Sequence, residues 1–254
     1  MSGLEGRVAL VTGAGQGIGE AIARRLGRAG AVVAVNSLHE AKAGATVDRV
    51  VAEGAHAFAV PGDVGDPLQV RSIVDRVEAI AGPVEILVNN AATLSMAPFL
   101  EFDADEWDRI VRVDLSGPMV CARAVLPGMI RAGRGRIVSV ASIWGTIGAR
   151  GATAYCASKG GLIAFTAALD DEVGPSGVVV TAVAPGTVDT PQLQADAGFA
   201  GISLDEMKAR YALDTLVGRI ATADEIAGIV AFLSGGLGHA FRGRTVLVTG
   251  GRSE

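Results

Sequence analysis

Cysteine is scarce in this chain. Only Cys121 and Cys156 occur among 254 residues, and they form neither a CxxC pair nor a disulfide framework. That excludes a disulfide-stapled fold and fits a reducing, cytoplasmic setting. Cys121 lies in an apolar helical stretch and reads as core. Basic runs are missing too. Acids outnumber Lys and Arg by 27 to 22, the formal charge is -5, and no nucleic-acid partner is expected. Arg131, Arg134 and Arg136 are separated by glycines and read as a solvated turn. The amino end passes from a short polar lead straight into Arg7-Val8-Ala9-Leu10-Val11, so no signal peptide is expected. Mean hydropathy is +0.41. Yet no uninterrupted apolar run reaches the roughly 18 residues of a spanning helix, so no membrane association is expected. His39, His56 and His239 are scattered without metal-ligand spacing, and no metal is expected. Linkers, repeats and low-complexity tracts are absent, so residues 1–254 read as one domain.

Present instead is a regular alternation. Short, almost continuously apolar runs at 7–12, 31–36, 56–60, 84–89, 136–140, 178–183 and 244–248 predict parallel strands covered on both faces. Helical patterns at about 17–29, 40–53, 67–81, 105–131, 154–173 and 222–234 fall between them. Asp103, Asp105, Glu106 and Asp108 read as the acidic start of the helix over 105–131. The expected fold is α/β: a doubly wound, Rossmann-type parallel sheet of about seven strands with helices on both faces. One segment, 186–215, breaks the rhythm, punctuated by Pro191, Gly198 and Gly201. It leaves the carboxyl end of the sixth strand, where open α/β sheets bind ligands, and reads as a substrate lid.

The first strand runs into Thr12-Gly13-Ala14-Gly15-Gln16-Gly17-Ile18-Gly19 and then a helix. Glycines let a pyrophosphate approach the backbone, and the helix amino end offers free N–H groups and a favourable dipole. The pattern is TGxxxGxG rather than GxGxxG.

A second constellation carries chemistry. Hydride transfer to a ketone leaves an oxygen that must gain a proton, and the reverse must lose one. A free tyrosine, with a pKa near 10, is a poor acid–base group at neutral pH, and a nearby cation lowers that value. Tyr155 and Lys159 are four apart in a helical stretch and share a face. Ser142 precedes them at the end of the fifth strand, where a hydroxyl can hold the reacting oxygen. Trp144, on the following loop, is a candidate wall for an apolar substrate. Gln192, inside the 186–215 segment, is a further substrate-facing candidate. Arg150 reads as solvent-facing.

These motifs together resemble the short-chain dehydrogenase/reductase family. TGxxxGxG, Asn89-Asn90-Ala91-Ala92, Tyr155-Cys156-Ala157-Ser158-Lys159, Pro185-Gly186-Thr187-Val188-Asp189-Thr190 and Gly250-Gly251 follow in family order. The resemblance implies that Gly13, Gln16, Gly17, Ile18 and Gly19 border a nicotinamide cofactor. It sets Asp63 and Val64 beside the adenine and Asn90 beside its ribose. Pro185, Gly186, Val188 and Thr190 border the cofactor further along. Ser142 would clamp the substrate oxygen, Tyr155 exchange the proton, and Lys159 tune the tyrosine and bind the nicotinamide ribose. It also implies a homotetramer assembled through long helices, which the apolar 105–131 and 154–173 stretches would suit.

One position departs from the pattern. The family usually has Asn where this chain has Asp114, in Val113-Asp114-Leu115. Asp accepts hydrogen bonds as Asn does, which would keep a proton relay. As an anion near Lys159 it would instead hold the lysine charge and shift the pH profile. The sequence leaves both open. The cofactor reading rests on the end of the second strand, where NAD enzymes carry an acid for the ribose 2′-hydroxyl. Here the chain reads Asn36-Ser37-Leu38-His39. No acid bars a 2′-phosphate, and Ser37 can donate to one, so NADP(H) is favoured over NAD(H) although no Arg or Lys stands in that stretch. The expected partner is a free small-molecule alcohol or ketone. A 3-oxoacyl-carrier-protein reductase is the alternative, opposed by Asp170-Asp171-Glu172, which would repel an acidic carrier. A non-catalytic cofactor-sensing regulator, or a scaffold, is the rival of another class. It is disfavoured because the Ser, Tyr and Lys are all present.

Overall fold

The computed structural model describes residues 3–251. Its strands are β1 (Val8–Val11), β2 (Val32–Val35), β3 (His56–Ala59), β4 (Ile86–Asn89), β5 (Gly135–Val140), β6 (Val178–Pro185), β7 (Val188–Asp189), β8 (Ala221–Thr222) and β9 (Thr245–Val248). Seven of them form one parallel sheet in the order β3-β2-β1-β4-β5-β6-β9, while β7 and β8 pair separately. The order reverses between β1 and β4, which opens a crevice at the carboxyl edge of the sheet. Helices α1 (Gly17–Arg28), α2 (Glu40–Ala52), α3 (Pro67–Ala81), α4 (Ala104–Val111), α5 (Gly117–Ala132), α6 (Trp144–Ile147), α7 (Thr153–Val173), α8 (Pro191–Phe199), α9 (Leu204–Ala212) and α10 (Ala223–Ser234) complete the chain.

The apolar runs become strands because their side chains are needed on both faces. On one face Ala9, Val11, Val33 and Val35 pack with Ile22 and Leu26 of α1 and Ile226 and Val230 of α10. On the other, Val8, Leu10 and Leu87 pack with Val70 and Val77 of α3 and Cys121 and Val125 of α5. Burial pushes the Cys121 thiol up to about 12, leaving it an inert core residue.

The structure corrects the sequence reading in four places. The single helix expected over 105–131 is two, joined by a π-helical turn over Arg112–Ser116. Pro118 has no N–H to return to the carbonyl of Asp114, so the regular ladder cannot run through. The acids before it do start α4, where the Asp103 side chain accepts the Glu106 amide at 2.9 Å. The 186–215 segment is not irregular. It holds α8 and α9, which close over a small core of Leu193, Ala197, Met207 and Ile220. Arg136 is buried rather than solvated, donating to the carbonyls of Gly135 at 2.8 Å and Gly235 at 3.4 Å. Asp170 is buried as well, accepting from the Val180 amide at 2.8 Å and pairing with Arg242 at 3.3 Å. Only Asp171 and Glu172 of that acidic run face outward.

Asn36, just past β2, ties three strand ends together. Its Nδ2 donates to the carbonyls of Val60 and Gly62 at 3.0 and 3.1 Å, and its Oδ1 accepts from the Gly13 amide at 3.4 Å. Asn36→Ala leaves these main-chain groups unpaired in a buried setting. The variant should lose about 1–3 kcal/mol of stability, read as a lower urea midpoint at an unchanged slope.

Candidate functional site

The crevice at the carboxyl edge is a cleft of about 570 Å³ that runs from the β1–α1 turn to Ser142 and Tyr155. At one end the glycine turn is a cradle that side chains would fill. Gly13 and Gly17 have φ of +61° and +59°, the left-handed region that glycine tolerates. A Cβ on Gly13 would stand 2.6 Å from the Cα of Ala91, and one on Gly19 would stand 2.4 Å from the Gly13 carbonyl oxygen. Gln16 precedes α1 without a side-chain cap, so the first N–H groups of the helix remain available to an anion. The turn is braced from β4. Asn90 Nδ2 donates to the carbonyls of Thr12 and Gly13 at 2.9 and 3.1 Å. The Thr12 hydroxyl accepts the Asn90 amide at 2.9 Å. These features suit a dinucleotide pyrophosphate.

At the other end, Ser142 follows β5, and Tyr155 and Lys159 stand one turn apart on α7. The short helix α6 lies against α7 backbone to backbone. A Cβ on Gly145 would come 2.7 Å from the Lys159 carbonyl carbon, so only glycine permits this approach. Ser142 Oγ accepts the Trp144 amide at 3.2 Å, and the Trp144 ring meets Tyr155 edge to face at 6.1 Å. Lys159 is buried, with Nζ donating to the Val140 carbonyl at 3.1 Å and lying 5.4 Å from the centre of the Tyr155 ring.

Asp114 does not line the cleft. It sits behind Lys159, wholly buried, where the π-helical turn carries it inward. Its Oδ1 accepts the Thr93 amide at 2.8 Å, and its Oδ2 faces Lys159 Nζ at 3.4 Å. Oδ2 has no well-aligned hydrogen-bond donor among the described residues, so charge attraction dominates its contact with Lys159. Burial raises the Asp114 carboxyl above its ordinary range, opposed by Lys159 and the Thr93 amide.

The sequence predicts a lowered Tyr155 pKa; in the structure the balance runs the other way. Enclosure by protein pushes the phenol up, Lys159 pulls it down, Asp114 pushes it up again, and a Ser142 hydrogen bond pulls it down. Lys159 acts in the expected sense, but burial outweighs it and Asp114 blunts it.

Every other residue that the sequence marks as a catalytic, cofactor or substrate candidate lines this one cleft: Gly13, Gln16, Gly17, Ile18, Gly19, Ser37, Asp63, Val64, Asn90, Ser142, Trp144, Tyr155, Lys159, Pro185, Gly186, Val188, Thr190 and Gln192. Asp63 also shapes its own turn, its Oδ1 accepting the Gly65 amide at 2.7 Å. Lys42, in the first turn of α2, lines the cleft too, and no motif had singled it out. The signal available was helical register: the first turn of a crossover helix starts at the same sheet edge as the strand end before it. Arg109 and Tyr211 also line the cleft and were likewise missed.

A family model described as short chain dehydrogenase matches residues 7–198. The 3-oxoacyl-[acyl-carrier-protein] reductase FabG of Escherichia coli (strain K12) is 36% identical over 247 residues, covering 97% of each chain. Among solved structures, a gluconate 5-dehydrogenase from Burkholderia cenocepacia J2315, in complex with NADP and tartrate, superposes with a TM-score of 0.87 at 33% identity, over 97% of this chain and 94% of that one. An NAD(P)-dependent gluconate 5-dehydrogenase from Beutenbergia cavernae, described as putative and with NADP bound at low occupancy, gives 0.90 at 34%, over 97% and 96%. The chain belongs to the short-chain dehydrogenase/reductase family, nicotinamide-dependent oxidoreductases that act at alcohol and ketone carbons.

Proposed function

We propose that this enzyme interconverts a free small-molecule alcohol and its ketone with NADP(H), using Ser142, Tyr155, Lys159 and Asp114. The observation that carries the reading is the convergence of a strand-end serine, a half-buried tyrosine and a buried lysine at one end of a cleft whose other end is a glycine cradle. Bound nicotinamide supplies or accepts the hydride. The protein handles the oxygen and its proton. Ser142 Oγ donates to the substrate oxygen and fixes its position. Tyr155 Oη gives that oxygen a proton in reduction and takes one in oxidation. Lys159 stabilises the phenolate, and Asp114 governs the charge that Tyr155 senses. Trp144 and Gln192 flank the substrate. Helices α8 and α9, tied to β7 by the Lys208–Asp189 ion pair at 2.6 Å, form a lid that excludes water.

NADP(H) is the cofactor we favour, because Asn36 is engaged with main chain and no acid stands at the end of β2 to repel a 2′-phosphate. The two gluconate 5-dehydrogenase structures with NADP point the same way. The likeness to the Escherichia coli reductase supports a second reading, reduction of acyl-carrier thioesters. Against it stand Asp171 and Glu172, exposed on α7, which disfavour an acidic carrier. We further propose a cytoplasmic homotetramer that binds neither nucleic acid nor membrane. Its support is the net charge of -5 and apolar side chains left outside, Met119 and Ile130 on α5 and Leu247 on the sheet edge. Light scattering at micromolar concentration should return four times the chain mass.

Tyr155→Phe should lower kcat by about 10²- to 10⁴-fold while leaving the cofactor Kd within a factor of a few. Near-normal turnover would remove Tyr155 from the chemistry. Asp114→Asn removes a negative charge beside Lys159, so the phenolate becomes easier to form. Oxidation needs the deprotonated tyrosine, so the rise of kcat/KM with pH should move to lower pH in this variant. An unchanged profile would confine Asp114 to structure. An absorbance assay over alcohols, ketones and acyl-carrier thioesters, with both cofactors, tests the substrate class. Turnover of the thioesters alone would favour the second reading.

A further inference from the structure

The end of the cleft beyond the glycine turn contains a cation that the sequence motifs did not mark. Lys42 Nζ donates to Gln16 Oε1 at 2.7 Å, bridging the first turn of α2 to the glycine turn. An ammonium has three N–H donors, and Gln16 takes one. Among the described residues no carboxylate pairs with Lys42. Glu40, two residues earlier, is exposed and outside the cleft, whereas Ser37, His39, Gln16 and Lys42 line it. The three segments meet tightly. A Cβ on Gly15 would lie 2.7 Å from Ser37 Oγ and 2.8 Å from Lys42 Cβ. Ser37 Oγ accepts the His39 amide at 3.3 Å, which fixes its place and leaves its own O–H to donate.

We propose that Lys42 is the residue that selects a 2′-phosphorylated nicotinamide dinucleotide, with Ser37 and the His39 imidazole completing the phosphate seat. The proposal rests on the NADP(H) reading above and assigns its physical source. Asn36 faces inward on main-chain partners, so no side-chain anion opposes a phosphate at the end of β2. Lys42 supplies the attraction. A point charge on a flexible stem, steadied by Gln16, meets a compact dianion without needing the bidentate fork of arginine.

The test is calorimetric titration with adenosine 2′,5′-bisphosphate and with AMP, which isolates the adenine end from catalysis. Wild-type protein should bind the bisphosphate at least tenfold more tightly, with an advantage that shrinks as salt rises. In Lys42→Ala that advantage should fall at least tenfold, and AMP affinity should stay within twofold, which also shows that the site is intact. Lys42→Glu should make AMP the preferred ligand. If wild-type protein prefers the bisphosphate and Lys42→Ala keeps the preference, Lys42 is not the selector although the NADP(H) reading stands. Equal weakening of both ligands would likewise overturn the assignment, because Lys42 would then act through Gln16 and the turn. A wild-type protein without a preference overturns both readings.

Discussion

The site depends on a buried ammonium. Taking Lys159 out of water costs several kcal/mol unless its neighbours replace the lost hydration. They are the Val140 carbonyl at the end of β5, the Asp114 carboxyl and the face of the Tyr155 ring. Each comes from a different element, and each needs Lys159 in place. The glycine contact between α6 and α7 sets how close α6 lies to the lysine backbone. The π-helical turn sets where the carboxyl arrives. Removing any of these would leave a charge in apolar surroundings, so the geometry of the candidate site and local stability share the same supports.

The two ends of the cleft are built on different principles. The end that holds Ser142, Tyr155 and Lys159 relies on side chains held by burial and charge. The end at the glycine turn relies on the main chain, with glycines giving way and Thr12, Asn36 and Asn90 bracing the loops by hydrogen bonds to carbonyls and amides. Asn36 and Asn90 therefore serve first as structural clasps, and their presence at the cleft follows from where strand ends must be tied. The switch in strand order between β1 and β4 is what separates α1 from the β4 loop and leaves room between them.

Much of this was legible in the sequence because it depends on local rules. Continuous apolar runs gave the parallel strands, and the glycine spacing gave the tight turn between β1 and α1. Three features were not. The π-helical turn arises from a missing donor at Pro118 combined with tertiary demand for Asp114, and the apolar pattern over 105–131 continues smoothly across it. The buried Arg136 and Asp170 look like ordinary surface charges until the carbonyls and the amide they serve are brought together by distant segments. Lys42 lies outside every motif, and only the docking of α2 against the glycine turn brings it to the cleft. The net rise of the Tyr155 pKa is likewise a property of enclosure, which spacing along a helix does not report.

The seat occupied by Asp114 has one more consequence. Its amide contact with Thr93 can be made by Asp or Asn alike, and the two side chains have nearly the same shape. The backbone bulge delivers whichever of them is present to the same place. Charge beside Lys159 is thus separable from volume: an isosteric exchange keeps the acceptor that the Thr93 amide needs and withdraws the negative charge that faces the ammonium.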